Sequence, residues 1–472
     1  MKKLNIVHVA GTKGKGSTCA YVDSILCQYR KSRGLPLKVG LFTSPHLIAV
    51  RERIRINSAP ISRDLFARYF FQVWDALETA TTGSSAPPDK PVYFRYLTLL
   101  SYHVFLQEGV DAAIYETGVG GEYDSTNIVD SPVATGISAL GIDHTFTLGA
   151  TVDKIAWHKA GIQKQGVPSF TVNQPQAAMD VVSARAKERN VRSLRVVGLD
   201  PRLRGVRVKP DADFQKANAS LAIALAEVVI QNLDPRFEVS GDVLPSEFVD
   251  GVEQVVWRGR CETKVEGNIV WYLDGAHTAD SIHVASSWYW DECSKRQVFK
   301  SGWGSLADPQ SPGNHVLIFN QQGQREAMGL LNGLFNPGST PNPVHFDHVL
   351  FCPTTARTDI GAKKGMISET LPLLIMPWCL PRSADFVNHT YDHKAIADLT
   401  LQKAFAEKWR ALDPSPNTKI EVLPTIEDAF DYVRRLDTGS QAEGNSKVHA
   451  LITGSVHLVG RALGALEGVD AV

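Results

Sequence analysis

The stretch Val7-His-Val-Ala-Gly-Thr-Lys-Gly-Lys-Gly-Ser-Thr18 has an apolar run, a turn of glycines and lysines, and then a helical pattern. Gly11, Gly14 and Gly16 carry no Cβ, so backbone N–H groups and the N-terminus of the following helix can approach an anion, and Lys15 adds a point charge. That chemistry suits the phosphates of a nucleoside triphosphate. The pattern departs from G-x-x-x-x-G-K-[ST]: only two residues separate Gly11 from Gly14, and Gly16 stands where the hydroxyl usually follows the lysine, so Ser17 supplies the nearest one. Alone, such a stretch is also compatible with an ordinary strand-to-helix loop.

Further polar groups stand just after apolar runs, where open parallel sheets gather their ligands. Ser44, in Thr43-Ser-Pro-His-Leu47, offers a hydroxyl to Mg²⁺ or simply makes a Ser-Pro turn. Glu116 ends the run from Asp111 and is followed by Thr-Gly-Val-Gly-Gly-Glu-Tyr-Asp-Ser-Thr-Asn127; a carboxylate beside glycines suits an oxygen-seeking cation. His144 follows another apolar run and is either a ligand or a hydrogen-bonded structural histidine. Lys159 sits among apolar neighbours in Ile155-Ala-Trp-His-Lys-Ala-Gly-Ile162, where a lysine ordinarily carries its charge out to solvent. Gln215 and Asn218 fall at i and i+3 at the start of an alanine-rich helix, as caps or as nucleotide contacts. Downstream, Trp257-Arg-Gly-Arg260 and Leu273-Asp-Gly-Ala-His-Thr278 place Arg260 in a connecting segment and Asp274 and His277 at a strand end. The arginines from Arg51 to Arg55 and from Arg192 to Arg207 read as solvated faces, and Cys19 and Cys27 as packing residues.

Apolar strand-like runs alternate with helical patterns throughout, which predicts an α/β protein with parallel sheets. Strands are expected at Asn5 to Ala10, Lys38 to Phe42, Asp111 to Glu116, Val133 to Ser138 and Val167 to Val172. Helices are expected at Ser17 to about Arg30, Ser62 to Glu78, Leu97 to Gln107 and Lys216 to Ile230. A second series of strands follows at Ile269 to Leu273, His315 to Phe319, His348 to Cys352, Ile420 to Leu423 and His449 to Thr453, so the chain divides into domains of residues 1–256 and 257–472. Thr79 to Pro91, Ser301 to Asn314, Asn336 to Pro343 and Asp437 to Ser446 read as loops.

The 472 residues exceed what one core organises, and 49 Lys and Arg against 50 Asp and Glu leave no field that favours nucleic acid or an anionic membrane. A small-molecule substrate fits better. Six cysteines without a C-x-x-C pair argue against a zinc site or a disulfide framework and read as reduced and mostly buried. No apolar run is long enough to span a membrane, and the first ten residues do not read as a leader; the expectation is a soluble, intracellular protein.

Taken in order, GTKGKGST, TSPHL, RERIRIN, YFRYLTLL, ETGVGGEYDSTN, GIDHTFTLG, IAWHKAGI, FQKANASLA, WRGR, LDGAHT and LITGSVHLVG resemble the folylpolyglutamate synthases, a branch of the Mur-type ATP-dependent amide ligases, in a eukaryotic, fungal-like form. The resemblance implies an N-terminal P-loop ATPase-like parallel-sheet domain of the Mur-ligase central type and a C-terminal Rossmann-like glutamate-ligase domain. It assigns Gly14, Lys15, Gly16 and Ser17 to the ATP phosphates, Ser44 and Glu116 to one Mg²⁺, and His144 to a second. Lys159 matches a lysine that relatives carry as a carbamate, an anionic ligand for the second magnesium; burial would help such an amine shed its proton. Gln215, Asn218, Arg260, Asp274 and His277 match nucleotide contacts, and Tyr93 to Thr98 falls in the folate pocket. A monovalent cation such as K⁺ is compatible with these sites.

Relatives usually carry a helical segment before the cradle, His in place of Phe214 and Pro in place of Arg258. The first departure points to a truncated or incompletely defined N-terminus, the others to altered nucleotide packing and hinge geometry.

The implied reaction is ATP-dependent addition of L-glutamate to the γ-carboxylate of tetrahydrofolate or its polyglutamates, giving ADP and phosphate through an acyl phosphate. The implied enzyme is a cytoplasmic monomer, with a mitochondrial form if a longer transcript supplies a leader. The nearest alternative, dihydrofolate synthase, joins glutamate to dihydropteroate. A P-loop kinase or ATPase would need neither the Lys159 site nor a glutamate pocket, and a non-catalytic regulator would not need Ser44, Glu116, His144 and Lys159 together.

Overall fold

The computed structural model describes residues 2–81, 90–238, 241–298, 314–321, 324–335, 345–354, 398–413, 415–440 and 447–468. It forms two compact units: the first holds the described residues up to His46 and Val50–Trp257, the second takes Leu47–Ala49 and the described residues from Arg258 onward.

In the first unit the described strands are β1 (Val7–Ala10), β2 (Val39–Phe42), β3 (Ile54–Ile56), β4 (Ala59–Pro60), β5 (Ala112–Glu116), β6 (Ala134–Ile137), β7 (Pro168–Val172) and β8 (Ser193–Val197). They form one sheet in the order β4-β3-β2-β5-β1-β6-β7-β8. From β2 to β8 every pairing is parallel. The central strands β1, β2, β5 and β6 are buried along their whole length, as expected of parallel strands covered on both faces. Helix α1 (Lys15–Arg33) and the long helix Asp213–Leu233 pack on one face, burying Val22, Ile25 and Leu26 against Leu221, Ile223 and Leu225. The helix Tyr93–Gln107 contributes Leu97, Leu100 and Phe105 to a separate core with Phe42 and Tyr115.

Beyond β2 the sheet turns antiparallel. Asn57 and Ser58, at φ 53° and 68°, make the two-residue turn between β3 and β4, a conformation that matches the twist of a hairpin. This corrects the reading of Arg51 to Arg55 as a solvated face. Ile54 is fully buried and Arg53 is 9% exposed, its Nε donating to His46 Nδ1 at 3.0 Å; the run is where the chain enters the sheet. The Arg192 to Arg207 run is exposed in the main but contains β8, and Arg202 is held between Asp200 and Glu227.

The second unit's described strands are β9 (Glu262–Glu266), β10 (Ile269–Leu273), β11 (Asn314–Phe319), β12 (His348–Phe351), β13 (Lys419–Val422) and β14 (Val448–Thr453), in the order β13-β12-β11-β14-β10-β9. Only the β9–β10 pairing is antiparallel. Separate apolar clusters cover its two faces, one around Tyr289, Leu331 and Trp409, the other around Phe430, Leu458 and Leu463.

The expected loops lie largely outside the described residues, although helices run through Thr79 to Thr81 and through Asp437 to Ser440. The five described cysteines are free, four buried and Cys261 half-buried; Cys379 lies outside the described residues. No described helix is long and apolar enough to cross a membrane.

Candidate active site

The order β2-β5-β1-β6 puts four loops side by side at the carboxyl edge of the first sheet: the one after Phe42 with Ser44, the one after Glu116, the Gly11–Gly14 turn, and the one after Ile137 with His144. Their strands pair in parallel, so every chain leaves the sheet at the same end.

The turn between β1 and α1 is clamped in its first half. The N–H groups of Thr12 and Lys13 donate to the Ala139 carbonyl at 2.9 and 3.0 Å, and Ser138 Oγ donates to the Lys13 carbonyl at 2.7 Å. Gly14, at φ 83°, then reverses the chain into the helix, and the Asn218 side chain lies in the space its Cβ would fill. Asn218 Nδ2 donates to Gln215 Oε1 at 3.0 Å, and Gln215 Nε2 to the Lys209 carbonyl at 3.1 Å. What remains for an anion is the second half, where Lys15, Gly16 and Ser17 begin α1 with no carbonyl one turn behind to receive their N–H groups.

Two lysines meet behind this turn. Lys15 Nζ donates to the Gly11 carbonyl at 3.0 Å, and Lys159 Nζ donates to the same oxygen at 2.7 Å. Lys159 lies in the last turn of the helix Val152–Ala160 and is 1% exposed, so it does not carry its charge out to solvent as a lysine on an apolar helix ordinarily does. Burial, and after it the charge of Lys15, lowers its pKa to about 7.

Glu116 is 4% exposed at the end of β5, and its Oε2 accepts the Ser44 N–H at 3.1 Å. His144 is exposed, in a left-handed conformation at φ 47° before the short helix Thr145–Leu148, with Nε2 at 3.7 Å from Asp143 Oδ2. Among the described residues no three His, Cys, Asp or Glu side chains converge to hold a metal on their own. A buried carboxylate bonded to the backbone of a serine is still compatible with Mg²⁺, which binds through one or two carboxylates and completes its shell with phosphate oxygens and water.

Arg260, Asp274 and His277 lie in the second unit. Asp274 is buried: Oδ2 accepts the Cys261 N–H at 2.8 Å and Oδ1 the Ala276 N–H at 2.9 Å. Burial raises its pKa, and the Arg260 charge opposes the rise. The Arg260 guanidinium fills the space a Cβ on Gly275 would need, and His277 Nδ1 bonds the Gly275 carbonyl at 2.9 Å.

Glu122 escaped the sequence reading. Its carboxylate takes Arg185 and Arg189 from the helix Gln176–Glu188 and the residue after it, and its N–H donates to the His158 carbonyl at 2.7 Å, next to Lys159. The acid was visible inside ETGVGGEYDSTN, but no local spacing marks arginines so far along the chain.

No family model matches the chain. Over 477 residues it is 54% identical to the folylpolyglutamate synthase of Neurospora crassa, spanning 100% of this chain and 83% of the relative. The chain belongs to the folylpolyglutamate synthase family. The folylpolyglutamate synthase of Saccharomyces cerevisiae is 39% identical over 480 residues, covering 99% of this chain and 78% of that one. A Mycobacterium tuberculosis folylpolyglutamate synthase crystallised with ADP and AMPPCP superimposes with a TM-score of 0.67 over 98% of this chain and 91% of its own, at 22% identity. At that identity the likeness is one of fold, and it extends the family's two-part α/β architecture to this chain.

Proposed function

We propose that this protein adds L-glutamate to the γ-carboxylate of tetrahydrofolate and of its polyglutamates, consuming ATP. The observation that carries the reading, alongside family membership, is Lys159 on the Gly11 carbonyl. A simple phosphate-binding ATPase has no use for a second, buried lysine behind its cradle.

A carboxylate resists attack by an amine because oxide is a poor leaving group. In the proposed reaction the γ-carboxylate attacks the γ-phosphate of ATP, ADP departs, the glutamate amine attacks the acyl phosphate carbonyl, and phosphate leaves. Lys15 and the N–H groups of Lys15, Gly16 and Ser17 hold the phosphates and offset the developing negative charge. Ser44 and Glu116 would hold one Mg²⁺ and His144 a second, and magnesium, when bound, neutralises phosphate charge and polarises the transferring group. Lys159, partly neutral because it is buried, has the free amine that CO₂ requires; as a carbamate it would offer an anionic oxygen to the second metal. K⁺ would serve as an additional counter-ion. Gln215, Asn218, Arg260, Asp274 and His277 would contact the nucleotide.

Residues 1–256 form the ATP-binding domain in this reading and 257–472 the glutamate-ligase domain. The enzyme works as a monomer in the cytoplasm.

The test is incubation with labelled glutamate, ATP and Mg²⁺ against tetrahydrofolate and dihydropteroate. Label should enter a tetrahydrofolate product in step with phosphate release and enter dihydropteroate weakly or not at all. Efficient use of dihydropteroate would make the protein a dihydrofolate synthase, and phosphate release without label transfer an ATPase.

A further inference from the structure

Gly16 occupies the position where a hydroxyl usually follows the cradle lysine, and backbone conformation does not explain it. It lies in the first turn of α1 with φ outside the left-handed region, so any L-residue could adopt its conformation, and alanine would be the better helix former. Space explains it. A Cβ on Gly16 would lie 2.9 Å from Cζ2, 3.3 Å from Cε2 and 3.4 Å from Nε1 of Trp257.

The indole is itself held. Trp257 packs against the apolar cluster that contains Val22, Ile25 and Phe248, and the Arg55 guanidinium lies 5.5 Å from its ring centroid. Arg55 is tied in turn by Nε donating to the Glu52 carbonyl at 3.1 Å. Trp257 is also the last residue of the first unit before the chain passes to Arg258.

We infer that Trp257 is a positioning residue for phosphoryl transfer: its ring is the surface against which the Lys15–Ser17 turn is set, so it fixes the direction of the phosphate-binding N–H groups and of the Lys15 ammonium. The inference rests on reading this turn as the ATP cradle. Clamping by Ala139 and Ser138 holds the first half of the loop, and the indole holds the second. Removing the ring leaves the donors present but loosely aimed, a loss that falls on turnover more than on ground-state binding.

The experiment compares Trp257→Ala, Trp257→Phe, Gly16→Ala and the double variant Gly16→Ala/Trp257→Ala in the full chain. ATP affinity is measured by calorimetry, kcat and KM with tetrahydrofolate and glutamate, and folding by thermal melting. Trp257→Ala should lower kcat about 10²-fold with a much smaller change in ATP affinity, and Trp257→Phe should recover most of the loss, because a displacement of about 1 Å has that scale of effect. Gly16→Ala should lower kcat at least about 10-fold in the wild-type background and add little in the Trp257→Ala background, where the colliding ring is gone. Equal fold losses in both backgrounds, or a phenylalanine no better than alanine, would overturn the inference while leaving the cradle reading intact. A wild type that turns over but binds no ATP at this turn, shown by Lys15→Ala having unchanged affinity and kcat, would defeat both.

Discussion

The ammonium groups of Lys15 and Lys159 share one acceptor, the Gly11 carbonyl oxygen, at 3.0 and 2.7 Å. One arrives from the first turn of the helix after β1, the other from the end of Val152–Ala160. Burial first, and the neighbouring Lys15 charge after it, make the second lysine a poor base, and its pKa falls to about 7. This is the electrostatic condition in which a lysine reacts as an amine.

Lys159→Ala should therefore abolish ligation while sparing nucleotide binding, because the N–H groups of the cradle are untouched. ATP affinity by calorimetry should persist, turnover should be lost, and small carboxylates should restore part of it by occupying the vacated space. Mass spectrometry of active wild type should find CO₂ on this residue; an unmodified Lys159 in fully active enzyme would remove the carbamate from the mechanism.

Glu116→Gln keeps the shape of the side chain and its bond from the Ser44 N–H but removes the charge that a hard cation needs. Turnover should fall by at least about 10²-fold, the scale on which single electrostatic stabilisers act. Activity near wild type at saturating Mg²⁺ would rule out Glu116 as a metal ligand.

Arg260→Ala removes the positive charge that opposes the burial-driven rise of the Asp274 pKa. The carboxylate should protonate more easily, so the acid limb of the kcat profile should move to higher pH, and kcat should fall more than the apparent glutamate affinity. An unmoved acid limb would separate Arg260 from Asp274 functionally.

His315 is half-buried beside Trp290 and His449, with Nδ1 at 2.9 Å from the Tyr289 hydroxyl, and loss of solvent around the ring lowers its pKa to about 3. The unfolded chain, with an ordinary pKa near 6.5, binds the extra proton first, so this residue's share of stability is whole above that value and is lost as pH falls towards 3. Urea unfolding of the second unit should lose up to about 1.4 kcal/mol per pH unit from this group across that window. His315→Phe should be less stable at pH 7 for want of the Tyr289 bond, yet lose less on acidification. A slope equal to wild type would place the acid sensitivity elsewhere; His348, buried in the same unit with its pKa also lowered by burial, is the next candidate.

The α/β class was legible because fully buried parallel strands must be largely apolar, and Val7–Ala10, Ala112–Glu116 and Val448–Thr453 are apolar runs broken only by His8, the terminal Glu116, His449 and the terminal Thr453. The strands that escaped were β3, β4, β8 and β9, at or near sheet edges. Water reaches one side of them, so arginines, lysines and glutamates interrupt the apolar pattern: Arg55, Arg195 and Lys264 sit within strands. Arg53 reads as solvated for the same reason, since charge in a sequence does not reveal that a histidine nitrogen and the face of Tyr93 await it.

Residue types and local spacing narrowed the chemistry without choosing it: a glycine-lysine turn between strand and helix can offer backbone donors and a cation to an anion or be an ordinary loop, an acid at a strand end can offer oxygen to a cation or stay solvated, and only the ordered set of motifs, through its family resemblance, chose among them. The sequence could not say that Lys159 is buried on the oxygen Lys15 also uses, that Asn218 lies against Gly14, or that Trp257 leaves no room for a side chain at Gly16. Those are decided by tertiary structure, because burial, shared acceptors and excluded volume depend on which distant segments the sheet order brings to one edge, and no property of a residue or its chain neighbours carries that distance.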